Sequence, residues 1–280
     1  MNLGQAPFVL NWQCSLRAAP DVDERAVLNN SVVLATDHES VAMFRARGIP
    51  VIAPPVWKEI HWNPWKKQRS DYISPRYDFG GSGGSGRHAI INFVGLFAGN
   101  ELLQQGYQVL LHDADIVWLR SPTRALQQIA RRRDVLGARG TGGLNAGFVY
   151  LRPTHHAKIF LQTLVNVSPL QKFSGQAHFN AVLRHPRLAQ LAWRALPDRI
   201  FPGEAPINKW GCGGRTRFAG DGKTQLVDHR VGSWKMRGFQ QCGRWFLDRR
   251  MREKNVWVQR NLNMSWFAKE KGDLCVFDDR

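Results

Sequence analysis

Acidic residues are scarce in this chain. Asp+Glu number 22 against Lys+Arg 39 in 280 residues, a formal net charge of +17 at pH 7. A surplus of that size points to an anionic partner: nucleic acid, phosphate groups, an acidic polymer or a membrane surface. Cysteine is sparse too, at positions 14, 212, 242 and 275. No two stand close enough for a zinc ribbon or a C-x-x-C redox motif, and a catalytic cysteine is not expected. One or two disulfides in a secretory compartment and four buried thiols in the cytosol remain equally open. Long apolar runs are missing, which excludes a membrane-spanning helix within the chain. The first residues, Met1–Trp12, lack the basic start and apolar stretch of a signal peptide. What is present is ordinary for a folded globule: 43% hydrophobic and 22% charged residues. That composition excludes wholesale disorder, and the length suffices for a sizeable core.

Gly80–Gly86 (GGSGGSG) is unlike the rest. It has the composition of a flexible coil and the repeat of an engineered Gly/Ser linker, and it is set aside from fold reasoning. It lacks the Lys-Ser/Thr ending of a phosphate-cradling loop. Elsewhere, apolar runs and helical periodicity alternate. Strands are expected at 31–36, 51–53, 108–112, 135–138 and 147–151. Helices are expected at 38–47, 89–105, 125–132, 155–165 and 176–184. Gly48 and Gly106 supply helix stops. Ile90, Phe93, Val94, Phe97 and Leu102 form the apolar face expected of the long helix. This trading of places predicts an α/β fold with a mainly parallel central sheet flanked by helices. The region from about Trp210 onward, rich in Gly, Trp and Arg, resists assignment.

Four elements carry chemistry. The first is His112-Asp113-Ala114-Asp115 at the carboxyl end of the apolar strand VLL, the end where open α/β sheets bind ligands. Two carboxylates in D-x-D spacing suit a hard cation such as Mn²⁺ or Mg²⁺, which keeps positions free for phosphate oxygens. Asp is also common as a turn residue after strands, so the pair alone is weak. The second is H-x-x-G-x-x-K at His229, Gly232 and Lys235, following a short strand expected at 225–227. A ring nitrogen of His229 suits a metal, Gly232 permits close backbone approach, and Lys235 suits a phosphate. The third is Asn145-Ala146-Gly147 leading into FVYLRPT. The fourth is Gln176-Ala177-His178-Phe179-Asn180 opening a helix. Amides at Asn145 and Gln176 can both donate to and accept from sugar hydroxyls; the bland alternative is a turn and a helix cap.

In this order the four elements resemble the nucleotide-diphospho-sugar transferase family, of GT-A architecture. The likeness is greatest to the family 77-like xylosyl-, arabinosyl- and galactosyltransferases, and more distant to the glycogenin-like family 8 group. The runs at 112–122, 145–154, 176–180 and 229–235 carry it, and LNWQCSLR at 10–17 fits the family's opening helix. The resemblance implies one GT-A catalytic domain over 1–280, Rossmann-like, working as a Mn²⁺- or Mg²⁺-dependent retaining glycosyltransferase. Its donor would be UDP-galactose, UDP-xylose or UDP-arabinose, and its acceptor a hydroxyl on a glycan or glycoprotein. Asp113, Asp115 and His229 would hold the metal. Lys235 and Gly232 would meet the diphosphate, and Asn145, Gly147 and Gln176 the sugar. Gln176, Asn145 and Lys235 would be the catalytic set. The chain departs from relatives at Gly175, where Asp is usual before the Gln, and at Met236-Arg237, where the glycogenin-like group has Pro-Trp.

The charge suggests a rival, a basic nucleic-acid-binding protein built on the runs at 66–67, 131–133 and 249–250; no nucleic-acid module supports it, and no nucleic-acid partner is expected. A degenerate or hydrolytic nucleotide-sugar-binding protein is the other alternative. The expected location is the Golgi lumen, as part of a type II membrane protein whose anchor lies outside this chain, with the cytoplasm as alternative. Charge beyond what one diphosphate needs favours an anionic acceptor.

Overall fold

A computed structural model of the chain describes residues 6–35, 38–52, 86–114, 116–140, 142–167, 175–201 and 227–229. In order these form α1 (Ala6–Ala18), α2 (Glu24–Asn29), β1 (Val33–Leu34), α3 (His38–Ala46), β2 (Val51–Ile52), α4 (Gly86–Gln104), β3 (Val109–His112) and β4 (Ile116–Trp118). Then follow α5 (Thr123–Ile129) with a 3₁₀ turn at Ala130–Arg132, β5 (Val135–Gly140), β6 (Gly143–Leu151), α6 (His155–Val167), α7 (Gly175–Leu183), a 3₁₀ turn at Pro186–Leu188, β7 (Trp193–Ala195) and β8 (Val227–His229). The Gly/Ser run lies outside the described residues except for Gly86, the first residue of α4.

The α/β class expected from the alternation is the class observed. Strand directions differ from the expected mainly parallel sheet. The four-stranded sheet has the order β3-β6-β5-β7. β6 runs antiparallel to both neighbours, and β5–β7 is the parallel pair. A separate β1–β2 pair is parallel, and β4–β8 is antiparallel. The reason is local: β5 and β6 form a hairpin, closed where Gly140 pairs with Gly143. Read separately, the two apolar runs looked like strands needing helical crossovers.

The sheet's period-2 alternation splits the core between its two faces. Leu136, Ala138, Phe148 and Tyr150 pack on one side with Leu10, Trp12 and Leu16 of α1, Phe44 of α3 and Leu126 of α5. Val135, Leu144, Val149 and Leu151 pack on the other with Leu96 and Leu103 of α4, Phe160 and Leu164 of α6, and Phe179 and Leu183 of α7. Each such fully buried side chain contributes about 1.5–3 kcal/mol of burial. Leu102, expected on the buried face of α4, is exposed. The inward stripe runs through Leu96, Gly99 and Leu103, and at Gly99 the helix comes so near β3 that a Cβ would lie 2.8 Å from Leu111 Cδ2.

Helix α1 is fastened to β4 through Ser15. Its hydroxyl donates to the Trp12 carbonyl at 2.7 Å and accepts from the Trp118 amide at 3.0 Å. Beside it, buried Cys14 is disulfide-bonded, and no cysteine among the described residues is free. Of the two cysteine alternatives, the disulfide therefore holds for Cys14. On the central strand, the Tyr150 hydroxyl donates to Gln108 Oε1. Burial holds that phenol above its usual pKa, with the positive charge of Arg152 pulling the other way.

Candidate active site

The carboxyl end of β3 is the point of convergence. The strand ends at His112, and Asp113 follows it at the surface with an exposed side chain. Beneath it the His112 ring is packed among Trp12, Trp118 and Phe148, with centroids 5.5, 6.3 and 6.5 Å away. Nδ1 of His112 lies 2.9 Å from the Asp113 carbonyl, an acceptor, which assigns the ring proton to Nδ1. The Asp113 amide donates to the Gly147 carbonyl at 2.7 Å. The first residue of the D-x-D pair and the N-A-G motif are thus neighbours through their main chains, although they come from different segments.

That meeting depends on an irregularity in β6. Gly137 pairs with Val149 and Arg139 with Leu144, so Asn145–Phe148 stand opposite Ala138 alone. Extra residues on one strand of a pair bulge outward and re-aim side chains, a device common beside functional sites. The bulge is closed internally, because Asn145 Oδ1 accepts from the Gly147 amide at 2.7 Å. The N-A-G motif is therefore not a turn ahead of the strand but a bulge inside it. Asn145 is 2% exposed, and its Nδ2 has no hydrogen-bond partner. An orphaned buried donor costs about 1–3 kcal/mol, so its presence needs a reason. The other buried side-chain donors without a partner among the described residues are the indole nitrogens of Trp12 and Trp118, both packed against His112. All three unused donors surround the end of β3.

Helix α7 closes the far side. Gln176 and Asn180, one turn apart, lie against the β5–β6 hairpin. A Cβ at Gly140 would lie 2.5 Å from Gln176 Nε2 and 2.9 Å from the Asn145 amide nitrogen. Gly140 is therefore the gap through which the Gln176 amide approaches Asn145. Asn180 grips the other strand: Oδ1 accepts from the Leu144 amide at 2.8 Å, and Nδ2 donates to the Leu144 carbonyl at 2.7 Å and to the Gln176 carbonyl at 3.0 Å. A Cβ at Gly143 would collide with that Oδ1. The Gln176 side-chain amide and the Asn145 backbone thus flank the same glycine, Gly140. Asn180 was visible in the sequence as part of QAHFN but had no assigned role. Its i,i+4 spacing from Gln176 was the available signal.

On the other flank, β8 pairs antiparallel with β4, and His229 is the register partner of Ile116, the residue after Asp115. His229 lies within a strand rather than following one, because β8 spans Val227–His229; positions 225 and 226 of the expected strand lie outside the described residues. Asp115, Gly232 and Lys235 lie outside the described residues. Among the described residues no group of three His, Cys, Asp or Glu side chains is placed to hold a metal. Nor is any described helix long and apolar enough to cross a membrane.

At this strand end an α/β sheet brings together Asp113, the bulged Asn145 and the helix-borne Gln176. Residues 98–226 match the family model described as nucleotide-diphospho-sugar transferase, which supports that family for the chain; the family's fold is of the GT-A type. The matched stretch holds β3 to β7 and includes Asp113, Asp115, Asn145, Gly147 and Gln176; His229, Gly232 and Lys235 lie past its end. No curated protein matches the chain.

Proposed function

We propose that the chain is a retaining glycosyltransferase that moves galactose, xylose or arabinose from a UDP-sugar to a hydroxyl of a glycan or glycoprotein. The family supports the coarser statement, a transferase with a nucleotide-sugar donor and a glycan acceptor. The observation that carries the reading is the bulge in β6. Within the bulge Asn145 holds Gly147, the residue whose carbonyl accepts from the Asp113 amide, and its buried Nδ2 has no partner, which supports a polar ligand at this strand end.

Divalent-cation dependence fits the same site. Asp113 would supply a hard oxygen at an exposed strand end, and the backbone pairing of Ile116 with His229 supports His229 as a further ligand. Asp113, Asp115 and His229 would hold Mn²⁺ or Mg²⁺, whose chemistry there is to offset charge on the departing diphosphate. Lys235 would meet the same diphosphate as a point charge, with Gly232 letting the backbone pass close to it. Asn145 Nδ2 would donate to a sugar hydroxyl, and Gln176 would accept or donate on the opposite side. Transition-state charge is then met by groups fixed before the reaction starts. An acidic acceptor accords with the +17 net charge. The disulfide at Cys14 supports an oxidising compartment such as the Golgi lumen.

A screen of UDP-sugars with and without Mn²⁺, reading sugar release and transfer, tests the reading. Metal-dependent use of one UDP-sugar is the expected result. Absence of UDP binding at any metal concentration would overturn it.

A further inference from the structure

We propose that Asn180 is a positioning residue for the donor sugar: it sets the spacing between the bulged strand and helix α7, and so holds Asn145 and Gln176 at one ligand. This inference rests on the transferase reading and adds a residue to it. Asn180 is 5% exposed, and its amide makes three hydrogen bonds, all to backbone. Two go to Leu144, the residue before Asn145, in the paired donor–acceptor pattern of a β-bridge. The third goes to the carbonyl of Gln176, one turn earlier in α7. One planar side chain thus clamps the residue beside Asn145 and the residue that is Gln176.

The Asn180 amide joins α7 to β6 by a donor and an acceptor bond at one residue, Leu144, and so sets a polar register between them. Apolar packing of Phe179, Val182 and Leu183 holds the helix to the core but is non-directional. It can tolerate a slide of the helix that the clamp cannot. The glycine at 143 supports the same conclusion, since any Cβ there would occupy the place of Asn180 Oδ1. Asn145 keeps its bond to Gly147 whatever α7 does, so loss of the clamp acts on the distance between the two amides and not on the bulge itself.

The test compares full-length wild type, Asn180→Ala, Asn180→Asp and Val182→Ala for binding of UDP and of UDP-galactose, UDP-xylose and UDP-arabinose with Mn²⁺. Asn180→Asp keeps the acceptor for the Leu144 amide and loses both donors. Val182→Ala loosens the same helix through packing alone. The proposal expects both Asn180 variants to weaken binding of the best UDP-sugar by about tenfold, the size of one to two lost neutral hydrogen bonds. UDP affinity should stay within about twofold, because the nucleotide lies on the Asp113 side. Val182→Ala should lower Tm and leave the UDP-sugar to UDP ratio at the wild-type value. If the ratio is unchanged in Asn180→Ala, or both affinities fall together as in a loosened fold, the positioning role is wrong while the transferase reading stands. Wild type that binds no UDP overturns the transferase reading, and the positioning role with it.

Discussion

The backbone amide of Asp113 donates to the carbonyl of Gly147 at 2.7 Å. This single bond lies one residue past the last β3–β6 register pair, His112 with Phe148, so the ladder runs on just beyond the strand. It fixes where the Asp113 side chain leaves the sheet, and it fixes the bulge that carries Asn145. Asp113, proposed for the metal, and Asn145, proposed for the sugar, are therefore coupled through the main chain. Substitutions at Asp113 can remove chemistry without disturbing this geometry.

Asp113→Asn is the first case. The side chain is exposed, and the bond to Gly147 uses only the backbone, so that bond should survive the substitution. Removing one carboxylate from a hard-cation site should nevertheless weaken Mn²⁺-dependent UDP binding by about tenfold or more. Calorimetric titration of UDP with and without Mn²⁺ measures it. A variant that binds UDP–Mn²⁺ like wild type removes Asp113 from the metal site.

Gly140→Ala probes the other side. The new Cβ would lie 2.5 Å from Gln176 Nε2, which can swing away, but also 2.9 and 3.0 Å from Asn145 N and Cα, which cannot. The hairpin must shift, at a cost of about 1–3 kcal/mol, typical of overpacking. Transfer activity should fall further than stability alone explains, because both amides are displaced. Activity measured well below the variant's Tm separates the two effects; full activity there would show that the spacing of Asn145 and Gln176 does not matter.

The α/β class and most described element positions were legible because they rest on local signals: apolar runs, helix stops and residue types. Gly48 and Gly106 end their helices at positive φ, as their positions suggested. The hairpin of β5 and β6 was not legible, because strand direction is a long-range property and the Gly140–Gly143 turn looked like any loop. The strand at 116–118 was hidden for a similar reason: its partner, 227–229, is far away in sequence. The bulge was invisible because a bulged strand and a strand preceded by a turn share one composition. Asn180 illustrates the limit best, since its type and spacing were plain but its backbone partner Leu144 sits on another element.

The disulfide at Cys14 should contribute to stability in proportion to the chain it closes. The other cysteines of the chain stand at 212, 242 and 275, so the closed loop is long whichever is joined. A native disulfide typically contributes about 2–5 kcal/mol. Reduction, or Cys14→Ser, should lower Tm by several degrees, roughly 2–4 °C per kcal/mol at this size. Non-reducing peptide mapping should find Cys14 linked within the chain. A free Cys14 thiol in protein secreted through an oxidising compartment would refute the link.

Alkaline pH should reveal Tyr150. Its folded pKa is raised by burial above the ordinary value of 10.0, so the unfolded chain ionises first as pH rises. The stabilisation is fully present below pH 10 and is lost as pH climbs through the folded pKa. Chemical denaturation of wild type between pH 9 and about 11.5 should show a decline that is shallower in Tyr150→Phe. Parallel curves for the two proteins would show that Tyr150 titrates alike in both states.

Asn145 separates a folding role from a ligand role within one side chain. Oδ1 is used by the fold, accepting from the Gly147 amide, whereas Nδ2 is buried with no partner. Asn145→Ala removes both atoms and leaves the Gly147 amide unsatisfied, a loss of about 1–3 kcal/mol. Asn145→Asp retains the acceptor and replaces only the unused donor, so it should preserve the bulge while placing a carboxylate where a donor is wanted. A ligand at about 100 times its Kd stabilises the folded state by about 2.7 kcal/mol. Wild type should therefore gain measurable Tm from a UDP-sugar, beyond what UDP gives at equal saturation of the nucleotide site. Both variants should lose that sugar-specific increment, although only the alanine variant starts from a weakened hairpin. If the aspartate variant keeps the increment, Nδ2 does not face the sugar, and the orphaned donor at the end of β3 must be met by some other ligand.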